Sequence, residues 1–274
     1  MVEKKTNRFL LGVIGIFSAV IFLAPFYLAV INSLKTQKGF LIDVIGLPGK
    51  YFTLKNYGEA FIKLDFLRSA SNSLFITVTA IVLIIVFASM AAWMLVRTKT
   101  KLSMFIFFMF SAAMLIPFQA VMLPLVRIMG RLNLLNPAGI IFMYLGFGAP
   151  LSVMLYHGFV KSVPVEIEEA AIIDGCSKFQ VFWRVVFPLL KPISVTVSIL
   201  NAMWIWNDFL LPQLVINRPE WQTIPLKMFY FFGQFSKRWD LGLAGLIIAM
   251  LPIILFYLAM QKHIIKGVMQ GSIK

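Results

Sequence analysis

Asp208 is the one carboxylate inside any of the six long apolar runs of this chain. An ionisable group deep in an apolar segment is costly to bury, so it marks a pathway, a partner or a boundary. Asn201, Trp204 and Asp208 follow at i, i+3 and i+7, which places them on one face of a helix, and Trp206 and Asn207 flank them. Aromatic faces combined with amide and carboxylate hydrogen bonds suit a polar solute. Asn201, Trp204, Asn207 and Asp208 are therefore candidates for lining a solute pathway. Two structural roles compete with that one: an anchor at the headgroup interface, or a hydrogen bond between helices.

A second constellation occupies 161–191. Glu169-Ala170-Ala171 is followed after three residues by Gly175, and after nine more by Val185, Val186, Phe187 and Pro188. Pro164 suits the first turn of a helix, where its missing donor would be unpaired anyway. Glu166, Glu168 and Glu169 favour the positive end of the helix dipole. The helix is expected to stop at Asp174-Gly175, because glycine adopts the left-handed cap conformation readily. Ser177 and Gln180 then form a capping-box pair for a second helix, with Phe179, Phe182 and Val186 at helical spacing. The segment reads as helix, sharp bend, helix. An amphipathic linker lying on a membrane is the alternative, but such helices are rich in Lys and Arg on their polar face, and this one begins acidic.

The elements that must carry these groups follow from composition. The 274 residues are 60% hydrophobic and 13% charged, and mean hydropathy is +0.89. A soluble domain of this size has no interior for so much apolar surface, so lipid must solvate most of it. Six stretches have spanning length: Phe9–Leu34, Ser73–Leu95, Leu102–Val126, Pro137–Val160, Pro192–Val215 and Leu241–Gln261. The expected fold is an all-α integral membrane protein, one transmembrane domain over 1–274, with the helix-bend-helix loop between the fourth and fifth spans. The first run is too long for a signal h-region and lacks a small-x-small cleavage site, so it reads as a retained span. Pro25, Pro117, Pro124, Pro150, Pro212 and Pro252 can each kink a helix.

The net charge of +14 does not imply nucleic acid, because Lys and Arg flank apolar runs and form no long basic stretch. They are divided almost evenly between the two sets of loops. Near span ends, however, the N-terminus, Arg97, Lys99, Lys101, Lys262 and Lys266 favour the inside. Cys176 is the only cysteine, which excludes an internal disulfide and a cysteine metal cluster. His157 and His263 are isolated, so no metal is expected. Gln119 is placed to bond carbonyls freed by Pro117, and Met104–Met109 reads as lipid-facing or packing surface. No nucleophile with its base is evident, so an enzyme is not expected. A structural membrane protein would account for the spans but not for the spaced loop.

The loop resembles the E-A-A-x-x-x-G-x9-I-x-L-P pattern of membrane subunits of bacterial ATP-binding-cassette importers, with Val185 and Phe187 in place of Ile and Leu. The likeness extends along the chain. Ile116-Pro117-Phe118-Gln119, Pro124-Leu125, Leu132–Asn136 and Trp206-Asn207-Asp208-Phe209 are similar to runs in the shorter permease of maltose-type carbohydrate importers. The resemblance implies a bacterial cytoplasmic-membrane protein with both termini inside. Its implied partners are a second permease, two ATP-binding cassette ATPase subunits and an extracellular or periplasmic sugar-binding protein. No G-x-x-x-x-G-K-[ST] segment exists, so ATP-Mg is expected on the ATPase and no cofactor on this chain. The resemblance makes 161–191 the ATPase-coupling loop, with Glu166, Glu169, Ala170, Ala171, Asp174, Gly175 and Pro188 as its working residues. The outer loop Ile216–Asp240 offers Trp221, Tyr230, Gln234 and Trp239 as binding-protein contacts, or as an aromatic belt at the headgroups. The cargo is left open between sugars and other small solutes such as a polyol or glycerol phosphate.

Overall fold

The computed structural model describes residues 2–231 and 238–272, and every regular element among them is helical. The helices are α1 (Val2–Ser33), α2 (Gln37–Ile42), α3 (Lys55–Lys63), α4 (Phe66–Thr98), α5 (Lys101–Ala113), α6 (Phe118–Arg131) and α7 (Pro137–Val160). They continue as α8 (Val165–Ile173), α9 (Lys178–Val181), α10 (Phe187–Leu189), α11 (Lys191–Asn207), α12 (Leu210–Val215), α13 (Ile224–Phe231) and α14 (Trp239–Ser272). Gln234 and Phe232 lie outside the described residues, as do the side chains of Tyr230, Phe231 and His263.

Four segments are long and apolar enough to cross a bilayer: Leu10–Ser33, α4, α7 and Trp239–Met260. Two bent pairs bring the number to six when each is taken as one span. The expected third span, Leu102–Val126, is divided between α5 and α6, which meet at 105°. Pro117 is the extended N-cap of α6 at ψ 141, and a proline disfavours helical backbone in the residue before it. The expected fifth span, Pro192–Val215, is interrupted after Asn207. Asp208 is extended there, and α12 begins at Leu210. Pro25, Pro124, Pro150 and Pro252 all lie within helices.

The chain divides into two compact units. The first comprises Met1–Phe66 and Lys227–Pro252. Ala60, Ala244 and Ile248 form its small core, with Tyr57 and Phe66 packed against them. The connection after α1 is tied down by polar groups. Lys35 is only 1% exposed, and its Nζ donates to the Asp43 carbonyl at 2.6 Å. Asn56 Nδ2 donates to the carbonyls of Ser33 and Lys35 at 2.8 and 2.7 Å.

The second unit comprises Leu67–Leu226 and Ile253–Lys274. Its core runs through α4, α7 and α11, with Ile76, Ala80, Ile84, Ala88 and Ala92 repeating every four residues along α4. Gly148 of α7 marks a close approach: a Cβ there would lie 2.5 Å from Ile84 Cδ1 and 2.8 Å from Asn201 Oδ1. The α4–α5 turn and the 161–191 loop share one end of this unit, since Arg97 bonds to Glu168. The start of α4 lies with the segment after α12. Asn72 Nδ2 donates to the carbonyls of Glu220 and Gln222, at 2.7 and 3.2 Å, and Ile224 N–H donates to Ser73 Oγ at 2.9 Å.

Candidate functional site

The 161–191 loop is built by its capping residues. Pro164 stands one place before α8, as its N-cap, and Glu166 and Glu168 occupy the first turn. At the other end Gly175 has φ +86. Its N–H donates to the Ile172 carbonyl, and the Cys176 N–H reaches back to the Ala171 carbonyl, each at 3.0 Å. This pair of bonds is a Schellman cap, which satisfies carbonyls that the helix end would leave unpaired. Ser177 and Gln180 then make the reciprocal capping box that opens α9.

The second helix of the loop is not uniform. Residues Phe182–Val186 form a π turn between α9 and α10. Pro188 has no N–H to return to the preceding turn, and wide turns are a usual adjustment to a lost donor. Phe182 and Val186 are buried, whereas Phe179 is exposed with its ring edge against Trp183. The ring of Phe182 lies 5.4 Å from that of Trp93, which fastens the loop to α4.

The two faces of α8 differ sharply. Glu168 is 5% exposed. Its Oε2 accepts from Trp93 Nε1 at 2.9 Å, and its Oε1 accepts from Arg97 Nε and Nη2 at 3.0 and 2.7 Å. Arg97 also donates to the Val163 carbonyl at 2.9 Å. This anchor escaped the sequence reading, which gave Glu168 only a place at the positive end of the helix dipole. Glu166, Glu169, Ala170, Asp174 and Gly175 face away and are exposed, and Ile173 is 85% exposed. Ala171 is half-buried against the core of the unit. The result is a helix pinned along one side, with an acidic and apolar tip left uncovered.

The residues expected along a pathway part company. Asn201 is buried, donating to Ser152 Oγ at 3.2 Å and to the Val197 carbonyl at 2.9 Å. It is a packing group between α7 and α11. Trp204 is exposed and stands edge-on to Tyr144, with ring centroids 5.4 Å apart. Tyr144 Oη donates to Asp208 Oδ2 at 3.0 Å. Asp208 Oδ1 accepts from the N–H groups of Leu210 and Leu211, at 3.0 and 3.5 Å, so its carboxylate caps α12 where α11 ends. Tyr144 is the residue that sequence spacing missed, since it comes from α7. Beside Trp204 opens an apolar groove of about 500 Å³, with Met114, Phe118, Phe147 and Pro150 among its walls. Asn207 is exposed, its amide donating to the Met203 carbonyl at 2.7 Å.

At the opposite end from the loop, a groove of about 700 Å³ is lined by Asn133, Asn136, Asn217, Arg218 and Trp221, among others. Trp239 is exposed at the start of α14, and Arg238 pairs with Asp240 at 2.8 Å. Among the described residues no three His, Cys, Asp or Glu side chains gather as metal ligands would. His157 instead stacks on Phe107, with ring centroids 3.8 Å apart.

These features, several apolar spans and a capped helix-bend-helix loop, define a multi-pass membrane transport component. Residues 80–270 match the family described as "Binding-protein-dependent transport system inner membrane component", and the chain belongs to that family. It is 45% identical, over the full length of both chains, to the probable starch degradation products transport system permease protein AmyC of Thermoanaerobacterium thermosulfurigenes. It is 33% identical to the multiple sugar-binding transport system permease protein MsmG of Streptococcus mutans, over 99% of each chain. It is 35% identical to the melibiose/raffinose/stachyose import permease protein MelC of Bacillus subtilis, over 91% of each. The fold is also that of a chain in a bacterial ABC transporter involved in the import of the acidic polysaccharide alginate. That match has a TM-score of 0.79 and 24% identity, over 95% of this chain and 96% of the other.

Proposed function

We propose that this chain is the permease subunit of an ATP-driven sugar or oligosaccharide importer, supplying half of the translocation pathway. The single observation that carries the reading is the two-sided α8. Glu168 is bound inward by Arg97 and Trp93, while Glu169, Ala170 and Ile173 are left exposed on the other side. A pinned helix with an exposed tip can pass a push from an ATPase groove into α4 without deforming. Glu169 would meet a basic residue of that groove, Ala170 and Ala171 its wall, and Gly175 sets the bend that presents them.

ATP-Mg then binds the partner ATPase, two copies of which serve this chain and a second permease. Both termini face the cytoplasm, a placement supported by the basic Arg97–Lys101 turn lying at the same end as the coupling loop. An external binding protein would deliver the cargo to the end bearing Trp221. The carbohydrate class is supported by the names of relatives that match over 91% or more of both chains. Trp204, Tyr144 and Asp208 offer an aromatic face and a carboxylate beside an apolar groove, a surface suited to a sugar ring sliding past.

The deciding experiment is uptake into vesicles holding the permease pair with its ATPase and binding protein, across a panel of sugars, polyols and glycerol phosphate. ATP-dependent accumulation of a saccharide is the expected result. Accumulation without ATP, or of the non-sugar solutes alone, overturns the proposal.

A further inference from the structure

We propose that the second unit carries a binding site for the headgroup of an anionic phospholipid, beside the coupling loop. A cavity of about 650 Å³ opens where the C-terminal ends of α4 and α7 meet the first turns of α5 and α8. Its lining is two-sided. Lys99, Thr100 and Lys161 contribute polar groups, and Met104 and Phe107 an apolar wall.

The charges at the rim are not used up internally. Arg97 is committed to Glu168, but among the described residues neither Lys99 nor Lys161 has a carboxylate within ion-pair distance. Glu166 also lines the cavity and offsets part of the positive charge. Lys99 is held in the left-handed region at φ 49, so the turn that presents it has a defined shape. Thr100 Oγ accepts from the Ser103 N–H at 3.1 Å, leaving its own O–H free to donate to a phosphate oxygen. Two apolar spans end here, at the level where headgroups sit.

A phosphate-bearing anion satisfies the lysines. The apolar wall selects the lipid over a free phosphate, because Met104 and Phe107 offer nothing to a small anion but match the upper acyl chain. The cavity borders both the α4–α5 turn and the start of α8, so an occupant would brace the helix assigned to coupling. That consequence rests on the function proposed above, but binding itself does not.

Binding is read by native mass spectrometry of the assembled transporter, delipidated and titrated with phosphatidylglycerol or phosphatidylcholine, without ATP or sugar. Each lysine near a membrane surface is worth about fivefold in attraction to anionic lipid, and the pair about thirtyfold. Lys99→Gln with Lys161→Gln should therefore weaken phosphatidylglycerol retention about thirtyfold, while Lys99→Arg with Lys161→Arg retains it. Lys55→Gln with Lys63→Gln, on exposed faces of α3, should change nothing. Unchanged retention in the Gln pair, equal loss in the α3 control, or displacement by millimolar inorganic phosphate overturns the proposal. Because the readout needs no transport, a complex that carries no sugar can still show the site.

Discussion

Arg97 and Glu168, separated by 71 residues in sequence, are joined by two hydrogen bonds onto one carboxylate oxygen. Their side chains are only 18% and 7% exposed, and Trp93 occupies the other oxygen. The 161–191 loop is thereby attached to the end of a spanning helix through a buried charge pair.

Removing one partner of such a pair strands the other. Glu168→Gln or Arg97→Met should each destabilise the assembled protein by about 3 kcal/mol. Replacing both together, as Glu168→Leu with Arg97→Met, should recover most of that loss, since two apolar groups leave no stranded charge. Heat-induced loss of folded complex measures all three. Equal damage in the double variant would mean that the pair's charge is not what matters.

Gly175 has φ +86 and open space where a side chain would project, so strain, not crowding, governs substitution there. Left-handed backbone costs an L-residue about 1–2 kcal/mol, with asparagine tolerated best. Gly175→Val should misplace the exposed tip of α8 and lower sugar-stimulated ATP hydrolysis while leaving yield near normal. Gly175→Asn should come close to wild type. Full ATPase stimulation in the Val variant would remove the bend from the coupling account.

Asp208 has two structural duties, capping α12 and accepting from Tyr144. Asparagine can keep both contacts, because its carbonyl oxygen caps α12 while its NH2 donates to Tyr144 Oη with that bond reversed. Asp208→Asn should therefore preserve complex yield, and a fall in uptake reports the lost charge together with the reversed Tyr144 bond. Asp208→Leu loses about 1 kcal/mol of capping and leaves the buried Tyr144 hydroxyl unpaired, a further loss of about 1–3 kcal/mol. Yield and uptake measured side by side separate these contributions. Normal yield in the Leu variant would show that the cap is dispensable.

Gly148 sits where α4, α7 and α11 crowd together. Gly148→Ala should destabilise by about 1–3 kcal/mol through overpacking, because its Cβ would fall 2.5 Å from Ile84 Cδ1. Ile84→Val removes that atom and should restore part of the loss. An absence of rescue in a thermal melt would place the crowding at Asn201 instead.

Much of this architecture was legible in the residues themselves. Apolar runs of spanning length follow from composition, because lipid is the only solvent for them. The helix-bend-helix geometry of 161–191 was readable in detail, since its determinants are local: Gly175 for the left-handed cap, Ser177 with Gln180 for the box, acidic residues at the start of α8. Capping is decided within a few neighbouring residues, so sequence alone suffices. The run from Asn201 to Asp208 was equally visible as chemistry, though not as geometry.

The tertiary structure decided which way each polar group points. Glu166, Glu168 and Glu169 are alike in sequence, yet only Glu168 faces Arg97 and Trp93, because α8 packs against α9 and the π turn with that side toward the end of α4. Asn201 looked like a partner of Trp204 and Asp208 but is drawn between α7 and α11, where Gly148 allows the close approach. Asp208 leaves its helix where Tyr144, 64 residues earlier, takes one oxygen of its carboxylate and two N–H groups of α12 take the other. The 105° turn at Met114–Pro117 likewise needs more than a proline, since Pro25, Pro124, Pro150 and Pro252 stay inside continuous helices. A proline removes one donor wherever it stands. Whether the helix bends, breaks or continues depends on the neighbours that take up the freed carbonyl, and the fold alone supplies those.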